Sequence, residues 1–527
     1  MEKGSSSSAS ANANNLTLGQ AMDMPVKTIQ LFGTHLHIPA TSTATATAPA
    51  AANTGSATAL SLNAFAGLTQ GQGNLSLSLQ PAGVLAPTMA PPTMLEPLAM
   101  GPAAPVAQNT ALATVANAPA WQRNNLAAER ATVLVRHLRR CAEALVMARS
   151  VDVDAELTSI MRLASPDGDA VQRMAAAFAA ALARVAISPW RGVSAALFAT
   201  DGRDDGTAVA LEAAVARQNF LKVCPLLRLA AVAANELIIE ATKDDKLIHI
   251  VDLGGVNPGQ WVELMVAFTS RYQGRPSVRL TVVIKEPGQS YSQAATILTG
   301  EATRLGLPFE LHVVDSSLDE LKLDTLGVRS DHALIVISTL QLHRLGTGTS
   351  YMAVAPGIAS SLPVAMSSST VDNLLSGLHR LSPSLFIVTE NEANHFWPRF
   401  RERFTSALGY YEQLFRSMEE ASVLCQPAER KAVERHILKE EIKDIIACEN
   451  GPRWTRHEQS GMWIGRIDAA GFELWPMGII LAAGRIRSVA SQQYGGSHRY
   501  GVTEGNGWLI LNRMNKPIFC VSAWRSK

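Results

Sequence analysis

The residues best placed to do chemistry are HIVDLGGVNPGQW, His249 to Trp261. A short apolar run that ends in an acid and breaks into glycines is how a parallel strand delivers a nucleotide-type ligand to a helix N-terminus. A phosphate loop fails here. Gly254 and Gly259 have its spacing, but Gln260 and Trp261 stand where it needs Lys and a metal-binding hydroxyl. A dinucleotide fingerprint fails as well, because Val256 replaces the second glycine and its branched side chain crowds the approach to a pyrophosphate. A methyltransferase strand fits in part: Asp252-x-Gly254 begins the pattern, and Glu286 ends the next strand, where an acid could hold a ribose. Methyl transfer depends mainly on positioning, so it demands no obvious base. Polar residues of STLQLHRL, after Ile337, would then surround a methyl acceptor. In the competing reading, Gly254 and Gly255 only make the turn and Asp252 caps or anchors it.

No other enzyme pattern appears. There is no G-x-S-x-G elbow and no H-E-x-x-H pair, so no catalytic residue is assigned. The five cysteines are far apart with no CxxC pair, and Cys425, His436, Cys448 and His457 fit no standard finger. Neither a metal site nor a cofactor is expected, and the cysteines read as free thiols in a reducing compartment. His343 and His379, each in an LHRL phrase, read as surface or packing residues. Two basic clusters could contact DNA phosphates or a partner: Arg136, Arg139 and Arg140, and Arg399, Arg401 and Arg403 beside Phe396 and Trp397. Helical spacing puts Arg399 and Arg403 on one face, opposite an apolar stripe of Phe400, Phe404, Leu408, Tyr411 and Phe415. Leu75, Leu77 and Leu79 form an L-x-L-x-L pattern, resembling a plant corepressor-docking motif in which alternate leucines fill pockets.

The elements that must position these residues begin near Trp121. Residues 1–120 have only Glu2, Lys3, Asp23, Lys27 and Glu96 as charged side chains and few large apolar groups, which predicts a disordered low-complexity tail. Over 121–245, Ala131, Leu134, Leu138, Cys141, Leu145 and Ala148 recur at helical spacing, as do Val171, Met174, Phe178, Leu182 and Val185. These stripes, with a third helix from about Leu226 to Ala241, predict a helical cap; neither sustains a coiled coil. Over 246–527, LIHIVDL, VRLTVVI, ALIVIS and SLFIVTE alternate with helical segments, predicting a parallel sheet with helices on its faces. GWLILNRMNKPIFCVSAW predicts an antiparallel hairpin about Asn512–Pro517. The fold class is therefore α/β, Rossmann-like, with the mostly parallel sheet and antiparallel end of class I methyltransferase folds. Leu345–Thr370 lacks periodicity and predicts a flexible insertion. A net charge of +1 leaves no general basic excess for gripping duplex DNA. The N-terminus lacks a secretory h-region and no apolar run is long enough for a membrane span, which predicts a soluble intracellular protein.

Taken in order, these segments resemble a plant GRAS-domain protein of the SCARECROW-like kind, from about Trp121 to the C-terminus. Leu126–Ile239 resembles the first leucine-rich region and LQLHRL the end of the second. His249, Ile250, Val251 and Asp252, closed by Gln260 and Trp261, match the VHIID motif. The segment around Glu392-Ala393-Asn394-His395 resembles the PFYRE region, ACENGPRWTRHE the RVER region, and Ser522, Ala523 and Trp524, followed by Arg525, the SAW region. Leu253, Pro258, Glu440 and Thr455 depart from the family pattern. The resemblance implies a nuclear transcriptional regulator with a Rossmann-like core and helical cap, and no enzyme. It implies action through other regulators as a homo- or heterodimer through the helical region, with DNA contact in some members. The runner-up is a methyltransferase or small-molecule sensor on the same sheet.

Overall fold

The computed structural model describes residues 119–198, 206–255, 257–285, 288–345, 369–421, 425–448, 453–494 and 499–527. The expected tail with Leu75, Leu77 and Leu79 lies outside them, as do Val256, Glu286 and most of the expected insertion. The β-branched runs become β1 (Leu247–Asp252), β2 (Ser277–Val283), β3 (Phe309–Val314), β4 (Ala333–Thr339) and β5 (Leu385–Asn391). After them come β6 (Phe472–Leu474), β7 (Tyr500–Glu504), β8 (Trp508–Arg513) and β9 (Lys516–Ser526). They form one sheet in the order β3-β2-β1-β4-β5-β9-β8-β7, with β6 also pairing β9. β1 to β5 are parallel, and β9 turns antiparallel against β5 with Ala523 opposite Ile387. The Rossmann-like expectation and the antiparallel end are both met. Met514 and Asn515, both at positive φ, make the two-residue turn between β8 and β9. β3 and β7 are edge strands that bury only Val314 and Tyr500 respectively, so their apolar signal is weak.

Fourteen α-helices among the described residues surround the sheet. They are α1 (Ala120–Val146), α2 (Ser150–Leu163), α3 (Ala170–Ile187), α4 (Arg191–Phe198), α5 (Gly206–Val223), α6 (Pro225–Ala241) and α7 (Pro258–Thr269). The second half supplies α8 (Gln289–Leu305), α9 (Thr370–Arg380), α10 (Phe400–Glu420), α11 (Pro427–Val433), α12 (Lys439–Ala447), α13 (Ser460–Ala469) and α14 (Pro476–Gln493). Alternation along each strand divides the core. Ile248, Ile250, Ile335 and Ile387 face the larger side, with residues of α6, α7, α14 and the cap. Val251, Leu253, Val336, Phe386 and Trp524 face the side covered by α9 and α13.

The apolar stripes of α1 and α3 meet residues of α10 and α12 in that larger core, so the cap combines segments from before and after the parallel strands. Leu134, Leu138 and Cys141 are buried as expected, but α1 ends at Val146 and Ala148 is exposed at positive φ. α3 is long and apolar enough to cross a membrane by length and composition, contrary to the expectation that no segment would be. Here it is a core helix: Val171, Met174, Phe178 and Leu182 are buried, and Phe178 stacks edge-on against Phe404 of α10 at 5.7 Å.

α3 also carries a buried ion pair of the cap. The buried Arg173 donates from Nε and Nη2 to the Glu434 carboxylate at 2.9–3.1 Å, and from Nη1 to the Gly168 carbonyl at 2.6 Å. Removing one member strands a buried charge. Arg173→Ala is expected to lower stability by about 3–5 kcal/mol in chemical denaturation. The double replacement Arg173→Met with Glu434→Leu should lose far less; equal losses would contradict this assignment.

Candidate functional site

The turn after β1 is filled by the protein itself. Asp252 is buried at the carboxyl end of β1; its Oδ1 accepts the Gly254 N–H at 2.8 Å and its Oδ2 accepts Trp261 Nε1 at 3.2 Å. Burial raises the Asp252 carboxyl to about 7, against the lowering effect of those two donors. Gly254 passes close to β4, where a Cβ would stand 3.3 Å from the Thr339 carbonyl oxygen, and Gly255 takes a positive φ. Asn257 caps α7, accepting the Gln260 N–H. Trp261 and Gln260 are buried, and Asn235 of α6 donates to the Gln260 carbonyl at 3.0 Å.

The rest of this motif also points inward. Ile250 and Val251 lie in opposite halves of the core. His249 is buried with Nε2 2.8 Å from Thr281 Oγ1, and burial lowers its pKa to about 4. Ser522, Ala523 and Trp524 are buried in β9, where Trp524 Nε1 donates to Ser522 Oγ at 2.9 Å. The structure thus uses both motifs as packing and hydrogen-bonding residues of the sheet and of α7.

The two arginine clusters part company. Arg403 is a correction: it does not share an exposed face with Arg399. It is 1% exposed and donates to the backbone carbonyls of Ile445, Trp397 and Pro398 at 2.7–3.0 Å. The helix begins at Phe400, so Arg399 lies outside the helical rotation that the spacing argument assumed. Arg399 is exposed near Glu402, and Arg401 pairs with Glu143 of α1 at 2.6 Å. Arg136, Arg139 and Arg140 are exposed and line a cleft of about 810 Å³ between α1, the start of α3 and α10. Its other walls carry Asp169, Glu412, Arg416 and Glu419. Those acids are engaged: Glu412 by Arg416, Asp169 by Arg130, and Glu419 by Arg173 and the Ala170 N–H. Among the described residues no ion pair holds Arg136, Arg139 or Arg140.

A buried polar cluster beyond the carboxyl ends of β4 and β5 escaped the sequence reading. His343 Nδ1 lies 2.7 Å from Glu390 Oε2, the His395 and His457 Nδ1 atoms lie 2.8 Å apart, and Tyr411 donates to Glu441 at 2.8 Å. His343 and His379 share a phrase but not a setting, since His379 instead packs on Phe472. The only available signal was a polar residue closing each of two apolar strands.

The raised carboxyl of Asp252 has a pH consequence. Its folded value of about 7 exceeds the ordinary 3.8, so the folded chain binds the proton more tightly. That contribution is present in acid and is lost as pH rises toward neutral. Asp252→Asn should flatten stability against pH across this window. It should also cost about 1–3 kcal/mol, because one of two donors loses its acceptor. Denaturation series at several pH values check both outcomes, and an unchanged slope would contradict them.

The GRAS domain family matches residues 134–525. Scarecrow-like protein 3 of Arabidopsis thaliana is 31% identical over 442 residues, covering 76% of this chain and 90% of that protein. DELLA protein RGL3 of the same plant is 31% identical, covering 74% of this chain and 69% of that protein. The crystal structure of SCL7 from Oryza sativa superposes with a TM-score of 0.59 at 30% identity, covering 74% of this chain and 99% of that one. The motif order, the sheet with its antiparallel end and these likenesses agree: the chain belongs to the GRAS domain family, whose Scarecrow-like and DELLA members are plant transcriptional regulators.

Proposed function

We propose that this chain is a nuclear transcriptional regulator that catalyses no reaction and acts by docking other regulators on its helical cap. The observation that carries the reading is the cleft lined by Arg136, Arg139 and Arg140, whose guanidinium groups have no ion pair with another described residue. Exposed arginines at the mouth of a cleft suit the carboxylates of an acidic partner segment. Trp121 and Leu126 on α1, and Val151 and Met161 on α2, add exposed apolar area of the kind that anchors interfaces. The same helical face suits homo- or heterodimer formation. With a net charge of +1, DNA contact is local and weak, or shared with a partner.

The sensor or methyltransferase reading is the weaker one, because the acid that would begin a ligand site already serves Gly254 and Trp261. Fusing the full chain to a heterologous DNA-binding domain tests the proposal in cells. The fusion should accumulate in nuclei and change a reporter gene. The triple variant Arg136→Gln, Arg139→Gln, Arg140→Gln should lose most of that change while stability stays within about 0.5 kcal/mol, as for surface substitutions. A silent fusion excluded from nuclei, or a triple variant as active as its parent, would overturn it.

A further inference from the structure

We propose that His343, Glu441 and His457 form a binding site for a divalent transition-metal ion, with Zn2+ the best match. The three residues come from the turn after β4, from α12 and from the segment before α13, and one ligand atom of each lies within 4.8 Å of the others. Two imidazoles and one carboxylate are the donor set that zinc accepts, with a fourth position left for water or an exogenous ligand. The His343 and His457 rings meet edge-on with centroids 4.6 Å apart, so small side-chain rotations separate this arrangement from coordination.

The outer partners make this more than a chance cluster. A metal-bound histidine is normally oriented by a hydrogen bond from its other ring nitrogen, and a ligating carboxylate by a donor of its own. Each candidate ligand has such a partner. Glu390 takes His343 Nδ1 on Oε2 and is itself held through Oε1 by the Leu342 N–H at 2.8 Å. An ionised Glu390 can only accept, so His343 would donate to it from Nδ1 and keep its Nε2 lone pair for a metal. His395 faces His457 through their Nδ1 atoms, and His457 Nε2 is buried without a hydrogen-bond partner. A fully buried nitrogen without a partner costs free energy that coordination would recover. Tyr411 donates to Glu441 Oε2 at 2.8 Å.

The location fits as well. Open α/β sheets bind ligands beyond the carboxyl ends of their strands, and this cluster lies there, beyond β4 and β5. A metal at this point would tie the sheet to α12 of the cap, joining residues about a hundred positions apart in the chain.

The test uses the full chain, stripped with a chelator and titrated with Zn2+ against a chromophoric competitor. One equivalent should bind, and the thermal midpoint should rise with it. The Co2+ form should show ligand-field bands of a four- or five-coordinate ion without thiolate charge transfer, and X-ray absorption of the Zn2+ form should show imidazole and oxygen scatterers only. Glu441→Gln preserves shape and should weaken binding by more than about 10-fold, as should His457→Asn; Tyr411→Phe should weaken it by roughly 10- to 100-fold. His436→Asn, outside the site, should change nothing. The wild-type spectra decide the matter even if a variant fails to fold. No stoichiometric uptake, sulfur scattering from Cys425 or Cys448, or unchanged affinity in a folded Glu441→Gln protein would each overturn the proposal.

Discussion

The Asp252 carboxylate is the constraint from which the rest follows. It sits where a sheet of this topology would present a ligand, and both of its oxygens accept hydrogen bonds from the protein. The first bond closes the Gly254 turn, and the second fixes the buried Trp261 and hence the start of α7. From there Gln260 and Asn235 tie α7 to α6, which packs on the larger face of the sheet. A ligand seated at this turn would have to displace donors from a buried acid.

The same economy runs through the cap. Arg173 binds Glu434, and Arg403 gathers three backbone carbonyls, so two guanidinium groups are spent on holding helices in place. Exposed charge without a described ion-pair partner is found on α1, at Arg136, Arg139 and Arg140. That separation, with these interior guanidinium groups paired within the protein and the cleft arginines not, is what a docking protein needs. A catalyst needs the reverse, a reactive group held in an enclosed pocket.

Much of this was legible in the residues. The short β-branched runs located β1, β2, β4 and β5, and the stripes of α1 and α3 named buried residues, because continuous apolar runs follow from burial on two faces and helical stripes from burial on one. The edge strands β3 and β7 were not legible, since a half-exposed strand carries polar residues that blur alternation. Arg403 was misplaced because spacing alone cannot tell a solvated arginine from one that satisfies the end of another helix. The cluster of His343, Glu390, His395, Glu441 and His457 was invisible for a different reason. Its members are brought together by sheet order and helix packing, and local spacing rules for metal ligands apply only when the ligands share a short segment.

The account depends on the turn after Asp252 serving the scaffold and holding no nucleotide-sized ligand. The most direct measurement is calorimetric titration of the full chain with S-adenosylmethionine at millimolar concentration. The structure predicts no binding heat and no ligand-induced rise in the unfolding midpoint. A stoichiometric heat that disappears in Asp252→Asn would contradict it.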